Sequence, residues 1–176
     1  MKKSINICIL MMLLFFFIVF ISGCNSVMLT QEYKYDDRKY SVGDVPCSEL
    51  ITTIRIDWLI GDIIIEKSKN RDIVIKEEID KDIADSLKMH YRLQNNTLDI
   101  KFCGNTPAIN YKYKTKKLYI AMPSSDIYNY TIVVNSHDAN VTVRGIDIRG
   151  LSIHNNTGNI KVTNVVLEDF AIDNKS

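Results

Sequence analysis

The sequence of 176 residues contains few of the motifs that mark catalytic or cofactor-binding centres. A Gly-rich phosphate loop, a nucleophile elbow and an HExxH zinc motif are all absent. The formal net charge of +1 gives no global attraction for nucleic acid. Strong helix signals are also scarce. These absences argue against an enzyme, against a nucleic-acid-binding protein and against a cofactor, and they favour a fold built mainly from β-strands.

The last third of the chain carries a repeat with a spacing of 19 residues. Residues 132–150 read IVVNSHDANVTVRGIDIRG, residues 151–169 read LSIHNNTGNIKVTNVVLED, and residues 170–176 begin a third copy. Stacking the copies places apolar residues in shared columns: Ile132 over Leu151 over Phe170, Val134 over Ile153 over Ile172, Val141 over Ile160, Val143 over Val162, Ile146 over Val165, and Ile148 over Leu167. Period-2 alternation inside a longer repeat predicts β-strands stacked rung on rung.

A single rung buries too few apolar side chains to offset the conformational entropy that its backbone loses. Stability therefore requires neighbouring rungs that share the buried columns. Gly158 follows a polar cluster and predicts a tight reversal. Ser136, Asn155 and Asn174 fall in one column, where stacked polar side chains are expected to bond along the axis.

The same pattern appears earlier in the chain. Aligning Gly61 with Gly158 places four isoleucines on apolar columns of the repeat, which predicts a rung-like hairpin: Ile54, Ile56, Ile63 and Ile65 on Leu151, Ile153, Ile160 and Val162. Between the two regions, RDIVIKEE, NNTLDIKF and KKLYIAMP each predict a short strand. In residues 77–91, apolar residues recur every fourth position and predict one or two turns of helix. The predicted fold is all-β and β-solenoid-like, with stacked hairpin rungs and at most one short helix.

The N-terminus has the pattern of an export signal. Lys2 and Lys3 precede an apolar run over residues 7–21, and small residues lead to Cys24. The cysteine at the cut resembles the bacterial lipobox, in which the thiol is lipidated before cleavage. The alternative is an uncleaved membrane helix, for which the run is slightly short. We therefore expect a signal peptide over residues 1–23, a lipidated tether over 24–31 and a β-repeat domain over 32–176, held at the extracytoplasmic face of the membrane.

Removal of the signal leaves two cysteines besides Cys24, because Cys8 lies inside the apolar run. Cys47 and Cys103 can form one disulfide in an extracytoplasmic compartment, or they can remain two separate buried thiols. The mature chain would also lose Lys2 and Lys3, leaving 20 basic against 21 acidic residues. Its balance of −1 again speaks against a nucleic-acid partner.

The segment YKYKTKKLY, residues 111–119, interleaves tyrosines and lysines. In an extended strand, Lys112, Lys114 and Lys116 share one face, and Lys117 follows them. Such a row is a candidate contact for anionic wall polymer or phospholipid head groups. The simpler interpretation is that the lysines guard an exposed strand against edge-to-edge pairing.

The histidines are His90, His137 and His154. In the repeat, Asn135, His154 and Asp173 converge in one outward column at the strand spacing of about 4.8 Å. An exposed polar ladder is the simpler interpretation of this column than a metal or catalytic site. No two carboxylates stack for general acid and base work, so no catalytic residue and no metal site is predicted.

The order of segments resembles one known family. IRIDWLIGDIIIE is followed by LDIKF, then by KKLYIAMPSSDIYNYTIVVNSHDANVTV and LSIHNNTGNIKVTNV. This order, from Ile51 to Ser176, resembles the bacterial "putative adhesin" domain of unknown function. The resemblance implies a right-handed β-solenoid-like fold and association with the cell envelope, and it supplies no catalytic residues. The sequence departs from the pattern in two places. His137, Asp138 and Ala139 replace the usual Ser-Gly turn of the first repeat. The third copy stops at Ser176, so Phe170 and Ile172 are expected to lack a return strand.

The first functional hypothesis is a membrane-anchored lipoprotein with a non-catalytic binding domain for cell-wall polymer or an envelope protein. An alternative is an accessory of envelope-stress sensing that contacts a membrane sensor protein. A polysaccharide-active enzyme is a third hypothesis, and it would need a groove lined with carboxylates that the sequence does not show.

Overall fold

The computed structural model describes residues 34–46, 50–69, 72–79, 83–105, 116–123 and 130–175. These ranges contain ten β-strands: β1 Ser41–Val42, β2 Thr53–Lys67, β3 Val74–Glu78, β4 His90–Gln94, β5 Thr97–Lys101, β6 Lys117–Met122, β7 Thr131–Arg144, β8 Asp147–Thr157, β9 Ile160–Thr163 and β10 Val166–Asn174. Two short 3-10 turns, η1 Asp37–Lys39 and η2 Asp85–Leu87, are the only helical elements there. No helix within these ranges is long and apolar enough to cross a membrane.

The long strands pair in parallel, as successive coils of a solenoid do. The path of neighbours is β1-β4-β5-β2-β7-β8-β10. β2 pairs with β7 along almost its whole length, with β5 through its first half and with β6 through its second half. The predicted all-β, β-solenoid-like class is confirmed. The two halves of β2 pair with different strands, however, so the predicted hairpin is a bent rung whose chain turns at Gly61, where φ is 101°.

The predicted columns are present in the observed register. Ile132 lies opposite Leu151, and Leu151 lies opposite Phe170. The alignment of Gly61 with Gly158 is confirmed as well, because Ile54 lies opposite Ile132. β5 extends this column by Leu98, which lies opposite Ile54. One apolar column therefore crosses five strands, and its first four members are fully buried or nearly so.

Each 19-residue coil has three limbs. In the first full coil, the first limb covers residues 131–138 and pairs with β8. The second limb covers residues 141–144 and pairs with β9. The third limb covers residues 147–150 at the start of β8 and pairs with β10. The stack therefore presents a first-limb face, a second-limb face and a third-limb face to solvent.

In the second repeat, the corner between the first and second limbs leaves no room for a side chain at Gly158. Gly158 has a φ of 105°, and a Cβ there would lie 2.3 Å from the carbonyl oxygen of Ala139. Hydrogen bonds of the predicted polar column, Ser136, Asn155 and Asn174, stabilise this corner. Ser136 Oγ donates to Asn155 Oδ1 at 2.7 Å, and Asn155 Nδ2 donates to the Ala139 carbonyl at 3.0 Å. Asn174 repeats the second bond one coil later, toward the Gly158 carbonyl at 3.2 Å.

The two ends of the stack differ. At the end near the N-terminus, β1, β3 and β4 pair antiparallel with their neighbours and cover the first coil. We call this the closed end. At the other end, β10 pairs only with β8 within the described residues, and Phe170 is 56% exposed. We call this the open end.

The one or two turns of helix predicted within residues 77–91 correspond, in the described part of that segment, to the three-residue 3-10 turn η2. β3 extends through Glu78 and β4 begins at His90. The four-residue apolar spacing covers only nine residues, from Ile79 to Leu87. So short a segment does not repay the cost of nucleating a longer helix.

Candidate functional site: a lysine-rimmed groove on the second-limb face

The second-limb face is formed by β3, β6, the second half of β2, the end of β7 and β9. Inward residues of these strands, such as Ile63 and Val141, are buried, so their neighbours in sequence face solvent. Among the described residues, the face and its groove carry six cations and four carboxylates: Lys67, Lys69, Lys76, Lys117, Arg144 and Lys161 against Asp44, Asp62, Glu66 and Glu78. This surplus of two positive charges exceeds the whole-chain balance of +1.

A groove of about 400 Å³ opens on this face. Its lining comes from β2, β3, β6 and the residues that follow β2: Glu66, Lys67, Ser68, Lys69, Val74, Lys76, Tyr119 and Ala121. We call it the lysine groove. The strand register explains how it forms, because Val74 lies opposite Ala121, which lies opposite Glu66. Small and apolar side chains in this row leave a depression that lysines surround.

Glu66 is the one carboxylate among the described residues that line the groove, and both of its oxygens accept hydrogen bonds. Tyr119 donates its hydroxyl proton to Glu66 Oε1 at 2.7 Å, and Arg144 Nε donates to Glu66 Oε2 at 2.6 Å. These two bonds hold the pKa of Glu66 below its usual range, the Tyr119 bond having the larger effect. The same bond raises the pKa of Tyr119. Glu66 is therefore ionised at neutral pH and is poorly suited to act as a general acid.

Lys76 lies beside the tyrosine at the edge of the groove. Its Nζ is 5.1 Å from the centre of the Tyr119 ring and 3.0 Å from Glu78 Oε1. The contact with the ring is within cation–π range. The lysine groove thus combines an aromatic and apolar floor with ammonium groups, which suits it to bind anionic ligands.

The predicted lysine row is only partly at the surface. Lys112 and Lys114 lie outside the described residues. Lys117 lies on the second-limb face, 3.5 Å from Glu78 Oε2. Lys116 is only 1% exposed, so its assignment as a polymer contact was wrong. Strand alternation explains the difference, because Lys116 shares the inward face with Leu118.

The Lys116 ammonium occupies a polar cage inside the closed end. It lies 2.5 Å from Glu77 Oε1, and it donates to the carbonyl oxygens of Leu87, at 2.8 Å, and of Phe102. The Phe102 ring centre is 4.1 Å away and the Trp58 ring centre 5.2 Å away. Burial lowers the pKa of Lys116, whereas the carboxylate and the carbonyl oxygens favour its protonated form. The ammonium therefore joins β3, η2 and the end of β5.

The cysteine predictions fall mostly outside the described residues. Cys24 and Cys47 are not in them, so lipidation and the Cys47–Cys103 disulfide both stay predictions. Cys103 is fully buried, and desolvation raises the pKa of its thiol to about 12. A thiol with this pKa stays protonated at neutral pH and is a poor nucleophile.

The polar column of the repeat assembles in the predicted register. Asn135 lies opposite His154, and His154 lies opposite Asp173. His154 Nδ1 is 2.8 Å from Asp173 Oδ2, and both side chains are about half exposed. Among the described residues, no group of three histidine, cysteine or acidic side chains is arranged to hold a metal ion.

Sequence reasoning missed the lysine groove because its lining residues lie on three strands that are separated in the chain. Lys67 and Tyr119 are brought together only by the parallel pairing of β2 with β6. A partial signal existed, since RDIVIKEE, which contains Lys76, and KKLYIAMP, which contains Lys117, were both predicted as strands. Their pairing could not be inferred from local patterns.

Comparison with known proteins identifies the family. A putative adhesin from Bacteroides fragilis is similar with 14% identity and a TM-score of 0.50, and the match covers 78% of this chain and 59% of that chain. A putative adhesin from Parabacteroides distasonis is similar with 13% identity and a TM-score of 0.42, and the match covers 77% of this chain and 62% of that chain, so this chain spans about six-tenths of both adhesins. A putative cell adhesion protein from Clostridium sporogenes is similar with 11% identity and a TM-score of 0.39, and the match covers 77% of this chain and 98% of that chain.

At these identities the likeness to the Bacteroides fragilis protein supports the fold alone. No curated protein matches the chain. The family model described as Toastrack DUF4097 matches residues 51–176, which is well over half of the chain and the same region as the predicted resemblance. The chain therefore belongs to the Toastrack DUF4097 family.

Proposed function

We propose that this protein is a membrane-anchored, extracytoplasmic lipoprotein whose Toastrack domain is a non-catalytic binding module of the cell envelope. The observation that carries the binding role is the second-limb face, where cations outnumber carboxylates around an open groove. Its one groove carboxylate, Glu66, is engaged by Tyr119 and Arg144. The names of the similar structures, which are putative adhesins or a putative cell adhesion protein, support an outward-facing binding role.

The described N-terminal residues fit an anchor near the closed end. The rings of Tyr35 and Tyr40 are 4.8 Å apart, and Tyr35 donates its hydroxyl proton to the Cys103 carbonyl at 2.7 Å. Arg92 lies over the Tyr40 ring at 4.9 Å. These contacts hold the start of the domain against β4 and the end of β5. A lipid on Cys24 would then bring the closed end toward the membrane, and the open end would point away.

The anchor is tested by cell fractionation and mass analysis of the mature N-terminus. We expect the native protein in the membrane fraction, beginning at an acylated Cys24. Cys24→Ala should lose the acyl chains and the proper cleavage, because the thiol is the lipidated group. Cys8→Ala is the matched control, since it removes a cysteine from the same apolar run and should leave the anchor intact. A native N-terminus that retains Met1 and carries no lipid would overturn the lipoprotein assignment in favour of a membrane helix.

A further inference from the structure

We propose that the second-limb face binds a linear polymer with repeating phosphate groups, which lies along the axis of the stack with one end in the lysine groove. This proposal rests on the proposed binding function and names the ligand class of that face. Three features of the structure support it: the surplus of cations, the distance over which they are spread, and the orientation of the face relative to the anchored end.

Three of the six cations are lysines outside the ion pairs of the described residues. Glu66 is paired with Arg144, and Glu78 lies near both Lys76 and Lys117. Asp62 accepts a hydrogen bond from Asn140 at 3.1 Å. Asp44 lies opposite Lys76 and accepts a hydrogen bond from the Glu77 N–H at 3.2 Å. Within the described residues, Lys67, Lys69 and Lys161 form no ion pair with any of these four carboxylates. All three side chains are exposed.

The cations extend too far for a single small anion. Lys76 lies on β3, Arg144 on β7 and Lys161 on β9, and the strands run in the order β3, β6, β2, β7, β9 across this face. At about 4.8 Å between neighbouring strands, the row spans about 19 Å along the stack axis. One phosphate group contacts only one or two of these side chains, whereas a polymer of several phosphate units contacts the whole row.

The other faces offer a useful contrast. On the first-limb face, Arg92 binds Asp99 at 2.7 Å and Lys101 binds Asp57 at 2.8 Å, so opposite charges are matched. The polar column there ends in the His154–Asp173 pair. The third-limb face includes Asp147 and Glu168 together with Arg149, whose Nε lies 3.9 Å from Glu168 Oε2. An anionic polymer is therefore attracted to the second-limb face more strongly than to the other two.

Phosphate groups are also present on lipid head groups, but the geometry favours a polymer. The strands of the second-limb face follow one another along the stack axis, so this face runs parallel to that axis. The described N-terminal residues pack at the closed end of the stack. A membrane that holds the closed end contacts the end of the stack rather than its side. A polymer that extends away from the membrane can follow the side for its full length.

The test uses the full mature lipoprotein in nanodiscs of zwitterionic lipid and measures binding of a synthetic poly(glycerol phosphate) oligomer by calorimetry. The site variant is Lys67→Gln/Lys69→Gln/Lys161→Gln. The matched control is Lys39→Gln/Arg55→Gln/Arg149→Gln, which removes the same charge from exposed residues elsewhere. Thermal unfolding should be similar for both, since all six side chains are exposed.

We expect the site variant to bind the oligomer about tenfold more weakly, and the control to change affinity less than twofold. Orthophosphate should bind far more weakly than the oligomer. Equal losses in the two variants would overturn the assignment to this face. Binding to vesicles of an anionic phospholipid without binding to the oligomer would overturn the polymer as the source of phosphate.

This result is separable from a failure of the anchor. Both variants share one N-terminus, so an absent lipid on Cys24 alters them equally and leaves their difference unchanged. Conversely, an acylated Cys24 with no difference between the variants would preserve the lipoprotein assignment and remove the polymer site.

Discussion

Leu151 and Phe170 occupy the same column of the repeat, one coil apart, yet Leu151 is 2% exposed and Phe170 is 56% exposed. The difference lies in their neighbours. Leu151 has β7 on one side and β10 on the other, whereas β10 has only β8 beside it within the described ranges. At the opposite end of the stack, short antiparallel strands and the Lys116 cage cover the first coil.

The comparison shows that position in the stack decides how much a repeated residue contributes to stability. In a solenoid, each coil contacts mainly its neighbours, so stability is approximately a sum over coils and the interfaces between them. The closed end and the inner coils should therefore be sensitive to substitution, and β10 should be tolerant. Three pairs of substitutions test this difference, in order of decreasing expected effect.

The largest effect is expected from Lys116→Met at the closed end. This change leaves the Glu77 carboxylate buried without its ammonium partner, which should lower the free energy of unfolding by about 3–5 kcal/mol. Chemical denaturation measures the loss. Lys117→Met is the matched control, because the Lys117 side chain is about one-third exposed and its Nζ lies 3.5 Å from Glu78 Oε2. Its loss should stay below about 1 kcal/mol, and equal losses in both variants would disprove the role of the cage.

Leu151 on β8 and Phe170 on β10 belong to the same apolar column, and their truncation should give a smaller but clear difference in the free energy of unfolding. Leu151→Ala leaves a cavity in the core and should cost about 2–5 kcal/mol. Phe170→Ala should cost about 1 kcal/mol or less, since more than half of that side chain is already in water. Comparable losses in denaturant titrations would mean that β10 is covered in solution.

The smallest contrast is expected in the polar column. Asn155 is fully buried and bonds both Ser136 and the Ala139 carbonyl, so Asn155→Ala should cost about 1–3 kcal/mol by leaving these groups unsatisfied. Asn174 makes the equivalent bond at an exposed site. Asn174→Ala should change stability by no more than about 0.5 kcal/mol. Thermal melts of the two variants at equal concentration provide the comparison, and a larger shift for Asn174→Ala would contradict it.

The repeated part of the fold could be predicted from sequence because each coil repeats the same local pattern. The 19-residue spacing located the columns of Ile132 and Val134, and the glycine at 61 extended them to β2. The closed end has no such repetition. Its cage joins Glu77 to Lys116 across 39 positions of the chain, and no local pattern specifies that contact. Lys116 looked like an exposed lysine because its neighbours in sequence are mostly polar.

The parallel pairing of β2 with β7 has a consequence for the order of folding. Ile54 and Ile132 are 78 positions apart, whereas Ile132 and Leu151 are 19 positions apart. The fourfold longer loop makes closure about 1.2 kcal/mol more costly in chain entropy, so the coils of β7, β8 and β10 should form first. β2 is synthesised before β7, its main partner, and cannot pair with β7 until that strand has been synthesised. The longest strand of the described residues thus gains its most extensive partner late, and until then one edge of β2 is open to a chaperone.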